Sequence, residues 1–575
     1  MKLMMRYLRP YVLQMSAVLS VKFLATIVEL FLPYILSHIL DHVVPLQRAE
    51  LIFLWGGVMI LCALSAFGMN VFANQRASAV ARDATRDIRH DLFAKTLSLS
   101  ARQVDRFTVP SLESRITSDT YHVSRFLGMM QRMGVRAPIL LFGGLLLTTL
   151  LDGKLTLVML AVLPFIFVIV FYIARKGIPL YGNVQKQVDS MTRVVREDTK
   201  GIRVIKALSR VESEKERFDG VNDDLVRSEK KAGITMAISN PAMNLFLNLG
   251  LTAVIFVGAL LISKGGDTQP GVIIAFTQYF TLIAMALMSI SRIFVMFTKA
   301  TASANRIDEV LKCDDDMPLF PEAQYPPKAP NDETYLEFEG VNFSYNKVKN
   351  NLSDCSFTLA KGQTLGIIGA TGSGKSTILQ LLMRFYDVDS GAIRIGGRDV
   401  RTVPTGELRT MFGTALQNDI LFSGTVQENL TFGREVDDVT LQESIRIAQA
   451  TDFVEEKGLD HQLTVKGSNL SGGQKQRLLI ARALSGNPDI LILDDSSSAL
   501  DYKTDANLRQ SLASSSKDCT RIIVAQRVSS VMNSDQILVL DEGRIIASGT
   551  HEELLQTCDI YREISRSQMG GAIFE

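Results

Sequence analysis

The sequence predicts a membrane all-α domain of six helices followed by an α/β domain. Six apolar stretches, most of them near the length of a membrane-crossing helix, fall within residues 1–290 of the 575. A glycine-rich turn at 369–377 then stands between an apolar strand-like run and a helix-like segment. Because a chain of this length is too long for a single core, the two halves are expected to fold as separate domains.

Composition excludes several classes of function. The formal net charge is +1, which gives no basic footprint for nucleic acid, so no nucleic-acid partner is expected. The five cysteines show no C-x-x-C spacing, and the six histidines show no metal-ligand pairing. The sequence therefore predicts neither a disulfide framework nor a zinc site.

The first half is predicted to lie in a lipid bilayer. The basic and then apolar N-terminus lacks a small-residue cleavage site, which indicates a retained helix rather than a signal peptide. Lys and Arg cluster before the first span and after the second and fourth. This bias predicts a multi-pass protein of the cell (plasma) membrane with both termini and the two long charged connections, 76–121 and 175–231, in the cytoplasm. The predicted spans are 11–39, 51–75, 137–151, 155–174, 245–262 and 271–290.

Two ionisable residues fall inside the first span. Lys22 and Glu29 are seven residues apart, so they share one face of the helix. Intramembrane charges favour a functional site that faces the bundle interior or water. In the alternative, Lys22 reaches back to the interface and Glu29 stays alone at depth. Both interpretations remain open.

The sixth span is rich in flexible and aromatic side chains. Such residues line adaptable cavities, although ordinary helix packing uses them as well. The residues concerned are Met285, Met288, Phe294, Met296 and Phe297. The substrate itself is not readable from them. After this span the acidic and proline-rich stretch 313–333 is predicted to be a linker between a membrane domain, 1–312, and a soluble domain, 334–575.

The glycine-rich turn reads G-x-x-x-x-G-K-S between a strand and a helix, which is the phosphate-binding P-loop pattern. Its backbone N–H groups and the following helix N-terminus favour phosphate. Lys375 is expected to reach the outer phosphates, and the Ser376 hydroxyl to ligate Mg²⁺. The predicted nucleotide-binding residues of the loop are Gly369, Thr371, Gly372, Ser373, Gly374, Lys375, Ser376 and Thr377.

Two further motifs follow the P-loop in order. An apolar strand-like run at 490–494 ends in Asp494, which is the Walker-B pattern for anchoring Mg²⁺. Between the two stands a far more specific sequence, L-S-G-G-Q, followed by a helix. Its residues are Leu470, Ser471, Gly472, Gly473 and Gln474.

Together these motifs resemble the ATP-binding cassette (ABC) family, and the order of the two halves resembles an ABC exporter half-transporter over essentially the whole length. The resemblance implies ATP and Mg²⁺ as cofactors. It also implies two cassettes packed head to tail, with each L-S-G-G-Q completing the partner's ATP site. By this resemblance Tyr345 is the aromatic residue that stacks on the nucleobase, and Gln417 is the glutamine of the Gln loop, which touches the Mg²⁺. Asp501 is the aspartate of the D-loop. It places short cytoplasmic docking helices near 101–111 and 210–218.

Two positions depart from the family pattern. Asp495 stands where the family has a glutamate that activates or orients water, and Gln526 stands where it has a histidine. The aspartate carboxylate is one methylene shorter, and glutamine cannot carry a positive charge. The ATP-holding residues are kept, so the chain is expected to bind ATP but to hydrolyse it poorly. The alternative is two neutral substitutions in an active enzyme.

This pattern resembles the degenerate-site subunit of heterodimeric bacterial multidrug ABC exporters. The expected function is ATPase-coupled export of hydrophobic or amphipathic small molecules, lipids or peptides, with hydrolysis mainly at the site shared with a partner half-transporter. Two alternatives remain: a homodimeric exporter that hydrolyses ATP slowly, and an ATP-binding regulatory or channel-like membrane subunit that does not pump.

Overall fold

The structure is a computed structural model that describes residues 1–265, 268–328, 334–496, 498–515 and 518–569. It divides into two compact units, each interrupted once along the chain. The first unit comprises Met1–Ser98 and Thr108–Cys313, and the second comprises Leu99–Phe107 and Asp314–Glu575. A short piece from the first half of the chain therefore belongs to the second unit.

The first unit is built of helices. They alternate between long apolar segments and amphipathic or charged extensions. The α-helices up to Leu311 are, in chain order, α1 (Lys2–Leu8), α2 (Val12–His38), α3 (Ala49–Ser98), α4 (Ala101–Phe107), α5 (Val109–Ser114), α6 (Thr120–Met133), α7 (Arg136–Leu151), α8 (Gly153–Ala207), α9 (Val211–Ala237), α10 (Ser239–Ser263) and α11 (Pro270–Leu311). Of these, α4 belongs to the second unit.

The predicted spans all fall on apolar helices. In the described part of the chain, five segments are long and apolar enough to cross a membrane, and a sixth, shorter apolar stretch, Gly153–Ile169, is the first part of α8. Helices α3 and α8 contain 50 and 55 residues. At 1.5 Å per residue each is about 75–80 Å long, well over twice the hydrocarbon thickness of a bilayer. The five segments are Lys2–Leu46, Ala49–Ser98, Val109–Leu151, Val211–Ser263 and Pro270–Leu311.

Polar contacts fix the helix ends at one end of the first unit. Asp152 caps α8 by accepting a hydrogen bond from the Lys154 backbone N–H at 2.8 Å, and it also accepts one from the Thr268 hydroxyl at 2.5 Å. Asp41 accepts from the Gly271 N–H at 2.6 Å. Because a helix leaves its first N–H groups without intrahelical partners, both carboxylates satisfy donors at the starts of α8 and α11.

An ion pair with a buried carboxylate joins the residue that precedes α6 to the far end of α11. The Asp119 side chain is only 1% exposed and accepts from the Ser303 hydroxyl and from Nε of Arg306, both at 2.8 Å. The Arg115 guanidinium donates to the Arg306 carbonyl at 2.8 Å. A buried carboxylate is tolerated only when it is paired and hydrogen-bonded, and this one has both kinds of partner.

The second unit is an α/β domain. Its strands are β1 (Leu336–Phe343), β2 (Leu352–Leu359), β3 (Thr364–Gly369), β4 (Ser390–Ile395), β5 (Arg398–Asp399), β6 (Phe412–Ala415), β7 (Gly424–Thr425), β8 (Gln462–Leu463), β9 (Ile490–Asp494), β10 (Thr520–Val524), β11 (Gln536–Asp541) and β12 (Arg544–Gly549). Its further helices are α12 (Lys375–Leu382), α13 (Thr405–Thr410), α14 (Val426–Thr431), α15 (Asp438–Ile447), α16 (Thr451–Lys457), α17 (Gly472–Leu484), α18 (Tyr502–Ser515), α19 (Val528–Val531), α20 (His551–Thr557) and α21 (Asp559–Met569).

The main sheet has the order β12-β11-β3-β10-β9-β6, parallel except for the edge pair β11–β12. A second, antiparallel sheet has the order β2-β1-β4-β5. Strand β9 is buried on both faces: Ile490 and Ile492 join one hydrophobic core, and Leu491 and Leu493 join another. A parallel strand covered on both sides needs such a continuous apolar run, as the sequence shows.

Residues 314–328, predicted to be a linker, make backbone contacts within the second unit. The Phe320 N–H donates to the Arg401 carbonyl at 3.1 Å, and the Lys328 N–H donates to the Gly397 carbonyl at 3.0 Å. The Pro318 carbonyl accepts from the guanidinium of Arg384, which is buried. Because hydrogen-bonded backbone is held in place, residues 314–328 of the predicted linker are part of this fold.

Helix α4 also packs within the second unit. The Tyr386 hydroxyl donates to the Asp105 carboxylate at 2.6 Å. The Gln103 amide donates to the Asp314 carbonyl at 2.6 Å, and Ala101 packs against the hydrophobic core. The short helix expected near 101–111 is therefore present. The one expected near 210–218 is instead the first part of α9, a helix of 27 residues.

Candidate functional site

One cavity lies at the carboxyl ends of β3, β9 and β10, where adjacent parallel strands of the main sheet end. Ligands bind in this position in open α/β sheets because the loops there converge. The cavity has a volume of about 240 Å³. It is lined by Asn351, Thr371, Gly372, Gly374, Lys375, Ser376, Thr377, Gln417, Asp494, Asp495, Val524, Ala525 and Gln526.

The P-loop adopts a conformation that requires its glycines. Gly372 and Gly374 have φ of +85° and +102°, which disfavour any residue with a Cβ. A Cβ on Gly369 would lie 2.2 Å from the Leu540 carbonyl oxygen of the neighbouring strand. The Lys375 ammonium turns back over the loop and donates to two of its carbonyls at 2.9 and 2.8 Å. Burial lowers the pKa of this ammonium, and nearby carboxylates partly offset that effect.

The loop has spare polar groups for phosphate. Gly374 is the N-cap residue of α12, so the first N–H groups of this helix have no intrahelical partner. The buried Ser373 hydroxyl has no hydrogen-bond partner in the described part of the chain. Phosphate oxygens satisfy donors of both kinds, and Lys375 adds a cation. The residues present therefore fit a nucleotide's phosphates.

The residues predicted to hold Mg²⁺ lie together. The Ser376 hydroxyl donates to Oδ2 of Asp494 at 3.1 Å, and Gln417 lines the same cavity two residues after β6 ends. Asp494 is 6% exposed, and burial raises its pKa, with the Ser376 hydrogen bond and Lys375 opposing the rise. Hydroxyl, carboxylate and amide oxygens are the ligands that Mg²⁺ prefers, so this set fits the ion.

The two departures from the family pattern face each other. Nε2 of Gln526 lies 3.4 Å from Oδ2 of Asp495. The Asp495 backbone has φ of +51°, in the left-handed region that Asp tolerates better than most side chains, and its N–H donates to the Val524 carbonyl at 2.8 Å. Burial raises the pKa of the Asp495 carboxyl, and Arg527 and Lys375 oppose the rise.

A residue of the C-terminal helix, not foreseen from the sequence, holds the turn that carries Gln526. The Gln568 amide N–H donates to the Gln526 carbonyl, and its amide oxygen accepts from the Val528 N–H, both at 2.8 Å. Nothing in the local sequence marks Gln568, because its role depends on the packing of α21 against a turn some forty residues earlier. Asn351, which lines the cavity from the residue before β2, was likewise not predicted.

Tyr345 lies beside the cavity and does not line it. Its hydroxyl donates to Oε1 of Gln380 at 2.5 Å and to the Thr377 hydroxyl at 3.3 Å. Its ring meets those of Phe343 and Tyr386 edge to face, and burial raises the pKa of its hydroxyl. The residue is still 39% exposed, so a surface remains for a base to stack on.

The L-S-G-G-Q residues and Asp501 do not line this cavity. Ser471 caps α17: its hydroxyl accepts from the Gln474 N–H at 3.2 Å, while the Ser471 N–H donates to the Gln474 side chain at 2.9 Å. Ser471 and Gly472 are exposed at the helix start. Asp501 caps α18 by accepting from the N–H and hydroxyl of Thr504, and these bonds lower its pKa.

Comparison with known proteins assigns both halves of the chain. The family described as the ABC transporter transmembrane region matches residues 15–287, and the family described as ABC transporter matches residues 352–498. The chain is 34% identical over 570 residues to the uncharacterized ABC transporter ATP-binding protein YfiB of Bacillus subtilis (strain 168), covering 98% of each chain. It is 35% identical over 580 residues to the uncharacterized ABC transporter ATP-binding protein Rv1273c of Mycobacterium tuberculosis (strain ATCC 25618 / H37Rv), again covering 98% of each.

The fold also matches a solved structure. A bacterial Atm1-family ABC exporter with ATP bound superposes with a TM-score of 0.80 at 24% identity, over 98% of this chain and 99% of that one. The predicted fold class, a helical transmembrane domain followed by an α/β ATP-binding cassette, is confirmed. This chain belongs to the ABC transporter family and carries the membrane domain and the ATP-binding domain in one polypeptide.

Proposed function

We propose that this chain is one subunit of a heterodimeric ATP-driven exporter. Its partner is a second half-transporter with an intact Walker-B glutamate and loop histidine. The observation that supports the proposal is the Asp495–Gln526 pair at 3.4 Å in the nucleotide cavity. A catalytic group displaced on the ångström scale can cost on the order of 10²-fold in rate. The chain's own site therefore holds ATP and hydrolyses it slowly.

In this proposal each residue that lies at the nucleotide cavity has its own role in binding ATP. Lys375 and the N–H groups at the start of α12 hold the phosphates, and Tyr345 supports the base. Ser376, Asp494 and Gln417 hold Mg²⁺, which neutralises charge on the phosphate oxygens when bound. Asp495 and Gln526 replace the groups that would orient and activate water, so what remains is a site suited to binding.

The other ATP site of the complex borrows the signature segment of this chain. Ser471 and Gly472 are exposed at the N-terminus of α17, where free N–H groups and the helix dipole favour an anion. Facing the partner's γ-phosphate, they complete a site whose hydrolytic residues come from the partner. The complex lies in the cell membrane with both termini cytoplasmic and moves hydrophobic or amphipathic substrates outward.

The decisive experiment is steady-state ATPase of the purified complex carrying Gly472→Asp or Asp495→Asn. A Cβ at residue 472 would meet Ala499 at 3.6 Å, an ordinary contact, so Gly472→Ala is the steric control. Gly472→Asp places a negative charge against the partner's nucleotide and is expected to lower turnover at least tenfold. Asp495→Asn is expected to change it less than twofold. If Asp495→Asn abolishes activity while Gly472→Asp does not, the chain hydrolyses ATP at its own site and the proposal fails.

A further inference from the structure

Two cavities in the helical unit meet at one ion pair. The smaller, about 120 Å³, lies among α6, α7 and α11, and the larger, about 480 Å³, lies among α2, α10 and α11. Leu282 lines both, Arg136 lines the smaller and Glu29 the larger. The Arg136 guanidinium donates to the two Glu29 oxygens at 2.6 and 3.2 Å. The ion pair therefore forms part of the boundary between the two spaces.

The smaller cavity is lined by a second cation, Arg292, which is an exposed residue. Arg292 lines it together with Arg136, and no hydrogen bond or ion pair to Arg292 is found in the described part of the chain. Arg292 lies 22 residues after the start of α11, about 33 Å along the helix and so near the edge of a ~30 Å hydrocarbon layer. Because Glu29 already neutralises Arg136, the cavity carries the unbalanced charge of Arg292.

The charges around this ion pair add to the imbalance. The Lys22 ammonium donates to the side-chain oxygens of Asn70 and Asn74 at 2.6 and 3.1 Å, and the Arg132 guanidinium donates to the Ser78 hydroxyl at 3.2 Å. These partners are all neutral. Lys22 is within electrostatic range of Arg132, Arg136 and Glu29. With Arg292 at the smaller cavity, this region has four cations and the one carboxylate of Glu29 among the described residues. Uncompensated charge inside a helix bundle is costly, so the region favours an anionic occupant.

The remaining lining is suited to an apolar chain. Met133, Met285 and Met288 border the smaller cavity, and flexible thioethers adapt to varied shapes. Leu32, Pro33, Leu251 and Leu282 line the larger cavity beside a few polar side chains. Its volume falls within the usual range of small-molecule sites.

We propose that this region binds a single-chain amphipathic anion, with its head group at Arg292 and Arg136 and its apolar chain in the cavity beyond Leu282. A cation of the same shape is disfavoured by Arg292, and a neutral amphiphile forms no ion pair there. The claim that the bound molecule is exported rests on the function proposed above. The claim that the molecule binds in this region rests only on the cavities and the charges around them.

The test is binding of two single-chain lipids with the same acyl chain, the anionic lysophosphatidylglycerol and the uncharged monoacylglycerol, to the purified complex in phosphatidylcholine nanodiscs. The wild type is expected to bind the anionic lipid about tenfold more tightly, the size of one hydrogen bond between two charged groups. Arg292→Gln should remove that preference and leave monoacylglycerol binding unchanged. Arg292→Lys keeps the positive charge and should retain most of the preference for the anionic lipid. Arg175→Gln makes the same charge change as Arg292→Gln outside both cavities and should retain all of that preference.

The outcomes separate this proposal from the heterodimer proposal. Equal affinity for the anionic and the uncharged lipid, or an undiminished preference in Arg292→Gln, overturns the anion site and says nothing about the ATP sites. Symmetric ATP hydrolysis overturns the heterodimer and leaves the head-group preference intact. Repeating the lysophosphatidylglycerol binding measurement in nanodiscs that contain phosphatidylglycerol distinguishes a membrane phospholipid from a free amphiphile as the natural ligand. Competition by the bilayer lipid indicates a membrane phospholipid, and an unchanged affinity indicates a free amphiphile.

Discussion

Nε2 of Gln526 lies 3.4 Å from Oδ2 of Asp495, so an amide and a short carboxylate face each other at the ends of two adjacent strands. The backbone holds this geometry: the Asp495 N–H is bonded to the Val524 carbonyl, and Gln568 holds the turn that follows. These are the two side chains that the sequence marks as departures from the ABC pattern. Under the function proposed above, restoring one of them alone is expected to leave the other unsuited to hydrolysis.

Asp495→Glu and Gln526→His are expected to act together. Asp495→Glu alone should not restore a second active site, because Gln526 still supplies no positive charge and the positive φ at residue 495 suits Asp better than Glu. The double variant should raise the ATPase rate of this site by more than the product of the two single effects, because contacting residues couple. The measurement is ATPase in a background where the partner's glutamate is changed to glutamine. Full activity in Asp495→Glu alone would contradict the expected role of Gln526.

Lys375→Ala is expected to weaken nucleotide binding at this site about ten- to a hundredfold, because a charge-assisted hydrogen bond contributes roughly 1.5–3 kcal/mol. Labelling of this chain by a photoreactive ATP analogue measures the effect. Lys361→Ala removes an equal charge from an exposed residue outside the cavity and should leave labelling unchanged. Undiminished labelling of Lys375→Ala would remove this lysine from the site.

Gln568→Ala is expected to loosen the turn at 526–528. It removes two hydrogen bonds, each contributing about 1 kcal/mol, so the Val528 amide should exchange with deuterium roughly fivefold or more faster. Gln568→Glu keeps the acceptor for the Val528 N–H and should lose much less protection at that amide. The exposed neighbour Ser567, changed to alanine, is the control. Equal protection in all variants would show that α21 does not hold this turn.

Arg306→Gln is expected to destabilise the helical unit by about 1–3 kcal/mol, because it removes the cation from the buried Asp119 carboxylate, which keeps the hydrogen bond from Ser303. Thermal unfolding of the detergent-solubilised protein measures this loss. Lys312→Gln removes a cation from the same helix, but its ion pair with Asp308 lies at the surface. That variant should change stability by less than 1 kcal/mol. Similar losses in both variants would contradict the importance of burial.

The sequence predicted those features that depend on local pattern. Continuous apolar runs marked the spans, and the fixed spacing of glycines around Lys375 marked the loop at the end of β3. The pairing of Glu29 was not predictable in the same way. Its partner Arg136 comes from another helix 107 residues away, whereas spacing alone placed Glu29 on one helix face with Lys22 or left it alone at depth. Residues 314–328 looked like a linker because their composition is that of a loop, and their backbone bonds form only with strands far along the chain.

The presence of α4 in the second unit determines where the polypeptide can be divided. A fragment that begins at Asp314 would hold every nucleotide-binding residue and still lack α4. It would lose the contact that Ala101 makes with the core and the carboxylate that accepts from Tyr386. A fragment that keeps these contacts therefore includes the α4 segment, for example as a permuted extension, because the boundary of this unit is not a single point on the linear chain.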